Sequence, residues 1–320
     1  MHIPYSLKRI LQIVPVILGI LILSFVLIYI APGDPIVMFL GEGGADPRYV
    51  AELRQRLGLD RPLYEQLLIY LSRVLQGDLG QSIHQGGPVL GVIMARVPAT
   101  MLLMGSSILL ATVLGIGLGV YASKKPYSVR DGSTIVASLL LYSFPMFWLG
   151  QMLIFVFSVS LGWLPSTGMF SFGVAGHYRW IDVAIHLILP TIALGSSLAA
   201  FIMRFVRTSM IEALGQDYIL TARAKGVSVK TIFYKHALRN ALLPVVTYIG
   251  IRVGYLLSGS VVVESVFGWP GLGRLMIEAL FSRDYPLIFG ILIVTSLSVT
   301  LLTFLVDILY SHIDPRIKLK

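Results

Sequence analysis

The chain contains no cysteine, which excludes a disulfide framework, a thiolate metal site and a cysteine nucleophile. Charge is almost as scarce. Asp, Glu, Lys and Arg make up 13% of the residues, about half the share usual in a soluble domain. No GxxxxGK[ST] segment occurs, so the chain has no P-loop with which to bind and hydrolyse ATP. Any ATP energy must come from a partner. Acids and histidines are nearly missing from the apolar runs, where ion-coupled carriers place their costly relay groups. Arg252 is the only charge deep in a run, Asp307 lies near the end of another, and Arg252 has no carboxylate partner in sequence. A self-sufficient secondary carrier or channel is therefore the weaker alternative. His84, His177, His186, His236 and His312 are scattered without ligand spacing, and no Ser/His/Asp set supports a membrane hydrolase.

What is present is apolar: 56% of residues are hydrophobic and the mean hydropathy is +0.83. This is the composition of an all-α integral membrane protein. Runs long enough to cross a hydrocarbon core about 30 Å thick fall at 10–30, 100–122, 134–160, 185–203, 242–263 and 287–309. The first is too long for a signal-peptide core and no small-residue cleavage site follows it, so it reads as an uncleaved anchor. All eight Lys obey one partition: Lys8 precedes the first run, Lys124 and Lys125 separate the second and third, Lys225, Lys230 and Lys235 separate the fourth and fifth, and Lys318 and Lys320 follow the sixth. Cations near span ends stay on the cytoplasmic side. Six transmembrane helices with both termini cytoplasmic follow. The opposite side holds 32–98, with six Arg against seven acids. The formal charge of +9 serves topology and not nucleic acid, because the basic residues lie between apolar runs.

The segment 32–98 reads as two helices: one opened by Asp46-Pro47 and stopped at Gly58, one opened by Asp60 and Pro62 and ended by Gly77. Leu63, Leu67, Leu68, Leu71, Val74 and Leu75 share a face of the second, either a packed cap or a surface for another protein. Gly115/Gly119 and Gly250/Gly254 are GxxxG pairs that let helices approach closely. Pro145 and Pro190 interrupt runs and are candidate kinks. The chain thus divides into 1–31, 32–98 and a core of 99–320 with a basic loop at 204–241.

That loop carries seven Lys and Arg against Glu212 and Asp217, and it is too long for a tight connection. Helix formers fill 218–225, Gly226 suits a helix C′ position with positive φ, and Ser228 can cap a second helix running through Lys230 to His236. Small Ala222 and Ala224 allow close approach, while Arg223, Lys225 and Lys230 offer charge to an acidic rim. A loop that only fixed topology would need the charges but not the ordered Ala/Gly arrangement.

These residues resemble the permease subunits of binding-protein-dependent ABC importers, specifically the B-type subunit of peptide systems. In that family the loop carries E-A-A, three residues, Gly, nine residues, then I-x-L-P. Leu220-Thr221-Ala222 stands at the first place, Gly226 at the Gly, and His236-Ala237-Leu238-Arg239 at the last; the leading Glu and final Pro are absent, with Pro244 five residues later. The resemblance covers the whole chain through APGDP (31–35), LGLDRPLYEQ (57–66), GDLGQS (77–82), FPMFWLG (144–150), LGWLPSTG (161–168), VVVESVFGWPGLGRL (261–275), RDYP (283–286) and DPRIK (314–318). It implies the type I importer permease fold with a small extracytoplasmic helical subdomain, in a bacterial inner membrane. It implies ATPase coupling through Tyr218, Thr221, Ala222, Arg223, Ala224, Lys225, Gly226 and Ser228. It also makes Glu264, Trp269, Arg283 and Asp284 candidates for an extracytoplasmic gate or binding-protein contact, while Arg252, as the deepest charge, is the candidate for the translocation path. The implied partners are a related C-type permease, two ATPases that carry the ATP and Mg²⁺, an extracytoplasmic substrate-binding protein and membrane lipid.

Overall fold

The computed structural model describes residues 5–30, 60–174, 176, 178–242, 245 and 260–313. The expected helix at Asp46-Pro47, Gly58, Gly250, Gly254, Arg252 and most of the run 242–263 lie outside them. Among the described residues the regular structure is helical, apart from one isolated bridge between Gln81 and Pro88. Its elements are α1 (Tyr5–Ile30), α2 (Leu63–Leu75), α3 (Val89–Ser123), α4 (Val129–Ser143) and α5 (Met146–Leu153), which continues as a π-helical stretch Ile154–Ser160. There follow α6 (Tyr178–Leu214), α7 (Asp217–Ala224), α8 (Val229–Thr231) leading into a second π stretch Ile232–Ala237, α9 (Leu272–Phe281) and α10 (Tyr285–Ile313).

Three stretches, Val89–Ser123, Tyr178–Leu214 and Tyr285–Phe304, are long and apolar enough to cross a membrane. The run read as one span over 134–160 is instead broken. Helices Val129–Ser143 and Met146–Ser160 meet at 101°, because Pro145 has no N–H to donate and holds Phe144 extended at ψ 129°. Pro190 behaves differently: it sits buried inside continuous α6, so only one of the two expected proline interruptions is a break.

The chain forms two compact units, Met1–Thr100 with Gly271–Leu301, and Met101–Pro270 with Leu302–Lys320. In the first, Val89, Ile93, Leu272, Leu275, Leu287 and Ile291 form a buried apolar cluster. The backbone of α10 approaches it at Gly290, where any Cβ would collide with Val89. Helix α9 begins at Gly271, which has no capping side chain, and Thr100 Oγ1 instead accepts the Leu272 N–H at 2.8 Å. Helix α2 ends as expected, with Gly77 at φ +80°. No residue of α2 is buried, however, and Leu63, Leu68 and Leu75 are exposed.

In the second unit the first GxxxG pair makes a backbone approach to α6. A Cβ on Gly115 would lie 2.6 Å from Ile202 Cβ, and one on Gly119 would lie 2.7 Å from the Met203 carbonyl oxygen. Three of the sequence motifs also meet here. The Gly168 N–H of LGWLPSTG donates to the Phe267 carbonyl at 2.8 Å, and a Cβ on Gly150 of FPMFWLG would lie 3.1 Å from the Phe267 ring.

Candidate functional site

The loop after α6 is an ordered helix–turn–helix. Gly226 has φ +73°, and its N–H donates to Arg223 O at 2.9 Å while Val227 N–H donates to Ala222 O at 3.1 Å. These paired bonds are a Schellman stop, with Gly226 at the left-handed position. Two residues on, Ser228 Oγ accepts the Thr231 N–H at 3.3 Å and restarts the helix. The restart departs from the expected plain α-helix: after α8 the backbone widens into the π stretch Ile232–Ala237 before returning to α at 238–242.

Burial separates the loop's two faces. Ile219, Ile232 and Ala237 are buried and anchor it. Tyr218, Thr221, Arg223, Ala224, Lys225, Gly226 and Ser228 are exposed, and Ala222 is half-buried. Leu220 at 58% exposure and Val229 at 80% join Tyr218 on the open side. Large apolar side chains thus stand open beside Arg223, Lys225 and Lys230 on this face. The small and charged residues of this face stand out in the sequence. Val229 does not, being an ordinary apolar residue whose exposure only the fold decides.

The loop's support begins in a second cluster that the sequence did not reveal. Arg207 of α6 grips Asp131 of α4 through two bonds, Nε to Oδ1 at 2.5 Å and Nη2 to Oδ2 at 2.6 Å. Asp131 Oδ2 also accepts the Tyr127 N–H at 2.7 Å. This closes the turn bearing Lys124 and Lys125, and Tyr127 adopts φ +62° within it. The partners lie 76 residues apart, so no local pattern announces them.

Glu264, Trp269 and Asp284 are wholly buried and offer no surface to an approaching protein, whereas Arg283 is exposed. Asp284 acts inside the chain. One carboxylate oxygen accepts Ser82 Oγ at 2.6 Å and the N–H groups of Ile83 and His84 at 3.0 and 3.1 Å. The other accepts Leu287 N–H at 3.2 Å and caps α10. RDYP therefore clamps GDLGQS. Arg283 stands at the left-handed stop of α9 with φ +55°, a position that favours glycine. Asp284→Ala is expected to destabilise the protein by on the order of 3 kcal/mol, since it takes the acceptor from the buried Ser82 hydroxyl and Leu287 N–H and from the part-buried N–H groups of Ile83 and His84. Arg283→Gly is expected to stabilise it by about 1 kcal/mol. Thermal unfolding of the purified protein checks both. A transport loss in Arg283→Gly despite higher stability would identify the side chain as an external contact.

Apolar helices of membrane-crossing length and an exposed, capped, basic helix–turn–helix after α6 are the features to set beside known proteins. Residues 111–319 match the model of the binding-protein-dependent transport system inner membrane component, and residues 2–104 match the N-terminal model of such membrane components. The chain belongs to this permease family. It is 42% identical to the oligopeptide transport system permease protein AppB of Bacillus subtilis (strain 168), covering 98% of this chain and 99% of that one. It is 40% identical to the dipeptide transport system permease protein DppB of Escherichia coli (strain K12), with 99% of each covered. It is 41% identical to the glutathione transport system permease protein GsiC of Salmonella choleraesuis (strain SC-B67), again over 99% of each. Among solved structures, the inward-facing MetNI methionine ABC transporter matches with a TM-score of 0.55 at 19% identity, over 70% of this chain and 96% of that one. The fold is thus that of an ABC importer permease.

Proposed function

We propose that the chain forms half of the translocation path of an ABC importer for short peptides in a bacterial inner membrane, alternating between outward-open and inward-open states. The carrying observation is the exposed stop-and-restart at Gly226 and Ser228, a rigid projection that can transmit movement from an attached protein. Two partner ATPases supply the ATP and Mg²⁺ chemistry and press on Tyr218, Thr221, Ala222, Arg223, Ala224, Lys225 and Ser228. Six spans with both termini cytoplasmic put this loop on the ATPase side, and the Lys partition supports that topology. A single chain of six spans is too small to enclose a peptide-sized path, so a related C-type permease completes it.

The substrate class follows the names of the relatives, which transport oligopeptides, dipeptides and glutathione. An extracytoplasmic binding protein delivers the substrate, Arg283 is the exposed candidate for its contact, and Arg252 faces the interface or a wet cavity within the path. Native mass spectrometry of the affinity-purified complex tests the assembly. The expected composition is one copy of this chain, one related permease and two ATPases, with a short peptide bound when the binding protein is present. A stable, transport-competent species containing only this polypeptide would overturn the reading.

A further inference from the structure

Lys235, His236, Arg239 and Asn240 line a cleft of about 410 Å³. Each of these four side chains can donate a hydrogen bond, and two are basic. No carboxylate among the described residues pairs with either cation. Lys235 and His236, at the end of the π stretch, fall four residues before Arg239 and Asn240 in the α-helical turn that follows, while Ile232 and Ala237 are buried. The neighbouring Tyr234 ring is 44% exposed and has Lys124 Nζ 5.5 Å from its centroid. An exposed amphipathic aromatic adjoining these basic residues in sequence, just before an apolar run, is the composition of a membrane–water interface.

We propose that this cleft holds the phosphodiester headgroup of an anionic phospholipid. Lys235 and Arg239 neutralise the phosphate, His236 and Asn240 donate to its remaining oxygens, and Tyr234 lies at headgroup level. The proposal rests on the topology given under Proposed function, which sets residues 204–241 at the cytoplasmic leaflet where anionic lipid attracts cations. The bound lipid would fix the returning arm of the helix–turn–helix against the bilayer, so that movement of the exposed arm reaches the spans.

The test uses the assembled complex in nanodiscs of mixed phosphatidylglycerol and phosphatidylcholine, with retained lipid counted by native mass spectrometry. The wild-type protein should retain phosphatidylglycerol in preference, and Lys235→Gln with Arg239→Gln should lower that affinity about thirtyfold. Lys235→Arg with Arg239→Lys should keep it. Raising KCl to about 1 M should release the lipid from the wild-type protein, and unchanged retention there overturns the proposal even if the neutral variant cannot be recovered. Displacement by millimolar inorganic phosphate without lipid selectivity would assign the cleft to a free anion and also overturn it. A neutral variant that keeps phosphatidylglycerol but sheds the ATPases would make the cleft a protein contact and overturn the lipid assignment as well. Because the chain lacks cysteine, Val229→Cys reports topology separately: labelling only from outside sinks the topology, and labelling only from inside leaves the lipid measurement to decide.

Discussion

Gly226→Val should yield a protein that reaches the membrane and pairs with its permease partner at wild-type abundance, yet loses about tenfold or more of its substrate-stimulated ATP hydrolysis. No described atom of the chain lies within 4 Å of where a Cβ on Gly226 would sit, so a Cβ there meets no collision within the described part of the chain. The cost is in the backbone. At φ +73° an L-residue loses about 1–2 kcal/mol, most for a β-branched one, and relaxing that strain breaks the bonds to Arg223 O and Ala222 O that set the angle between the loop's two arms. Gly226→Asn separates this cause from simple loss of a glycine, because asparagine tolerates left-handed geometry. It should keep at least half of wild-type hydrolysis. Membrane abundance, ATPase co-purification and stimulated hydrolysis measured together give the result, and full coupling in Gly226→Val would reduce the loop to a topological element.

Asp131→Ala should cost about 3 kcal/mol and lower the apparent melting temperature by about 6–12 °C. The Asp131 side chain is 2% exposed and that of Arg207 16%, so removing the carboxylate strands a guanidinium in a largely dry site. It also frees the Tyr127 N–H and loosens the turn carrying Lys124. Replacing both partners, Asp131→Leu with Arg207→Met, should recover most of the stability, because an apolar pair of similar volume carries no desolvation penalty. If the single and double variants melt together, the pair does not hold α4 to α6.

Features of the backbone within a few residues were legible in the sequence. Gly226, Ser228 and Gly77 fall where helix stop and start chemistry puts them, since a Schellman turn and a serine cap are decided by adjacent residues. The Gly115/Gly119 pair also acts as its spacing suggests. Long-range closures were not legible. Asp284 reaches back 202 residues to Ser82, a buried closure that nothing in the RDYP segment announces. The π stretch 232–237 follows from no propensity, because its residues are ordinary helix and interface formers. A proline in an apolar run reads alike at 145 and 190; only the packing around α6 keeps the second one within a continuous helix.

Peptide uptake into proteoliposomes tests the permease assignment most directly. The chain is reconstituted with its partner permease and binding protein, with and without the two ATPase subunits, at fixed ATP inside. Accumulation should occur only when the ATPases are present and should vanish when ATP is replaced by a non-hydrolysable analogue. Accumulation driven by an imposed proton or sodium gradient in vesicles lacking the ATPases would contradict the permease assignment and make the chain a self-sufficient carrier.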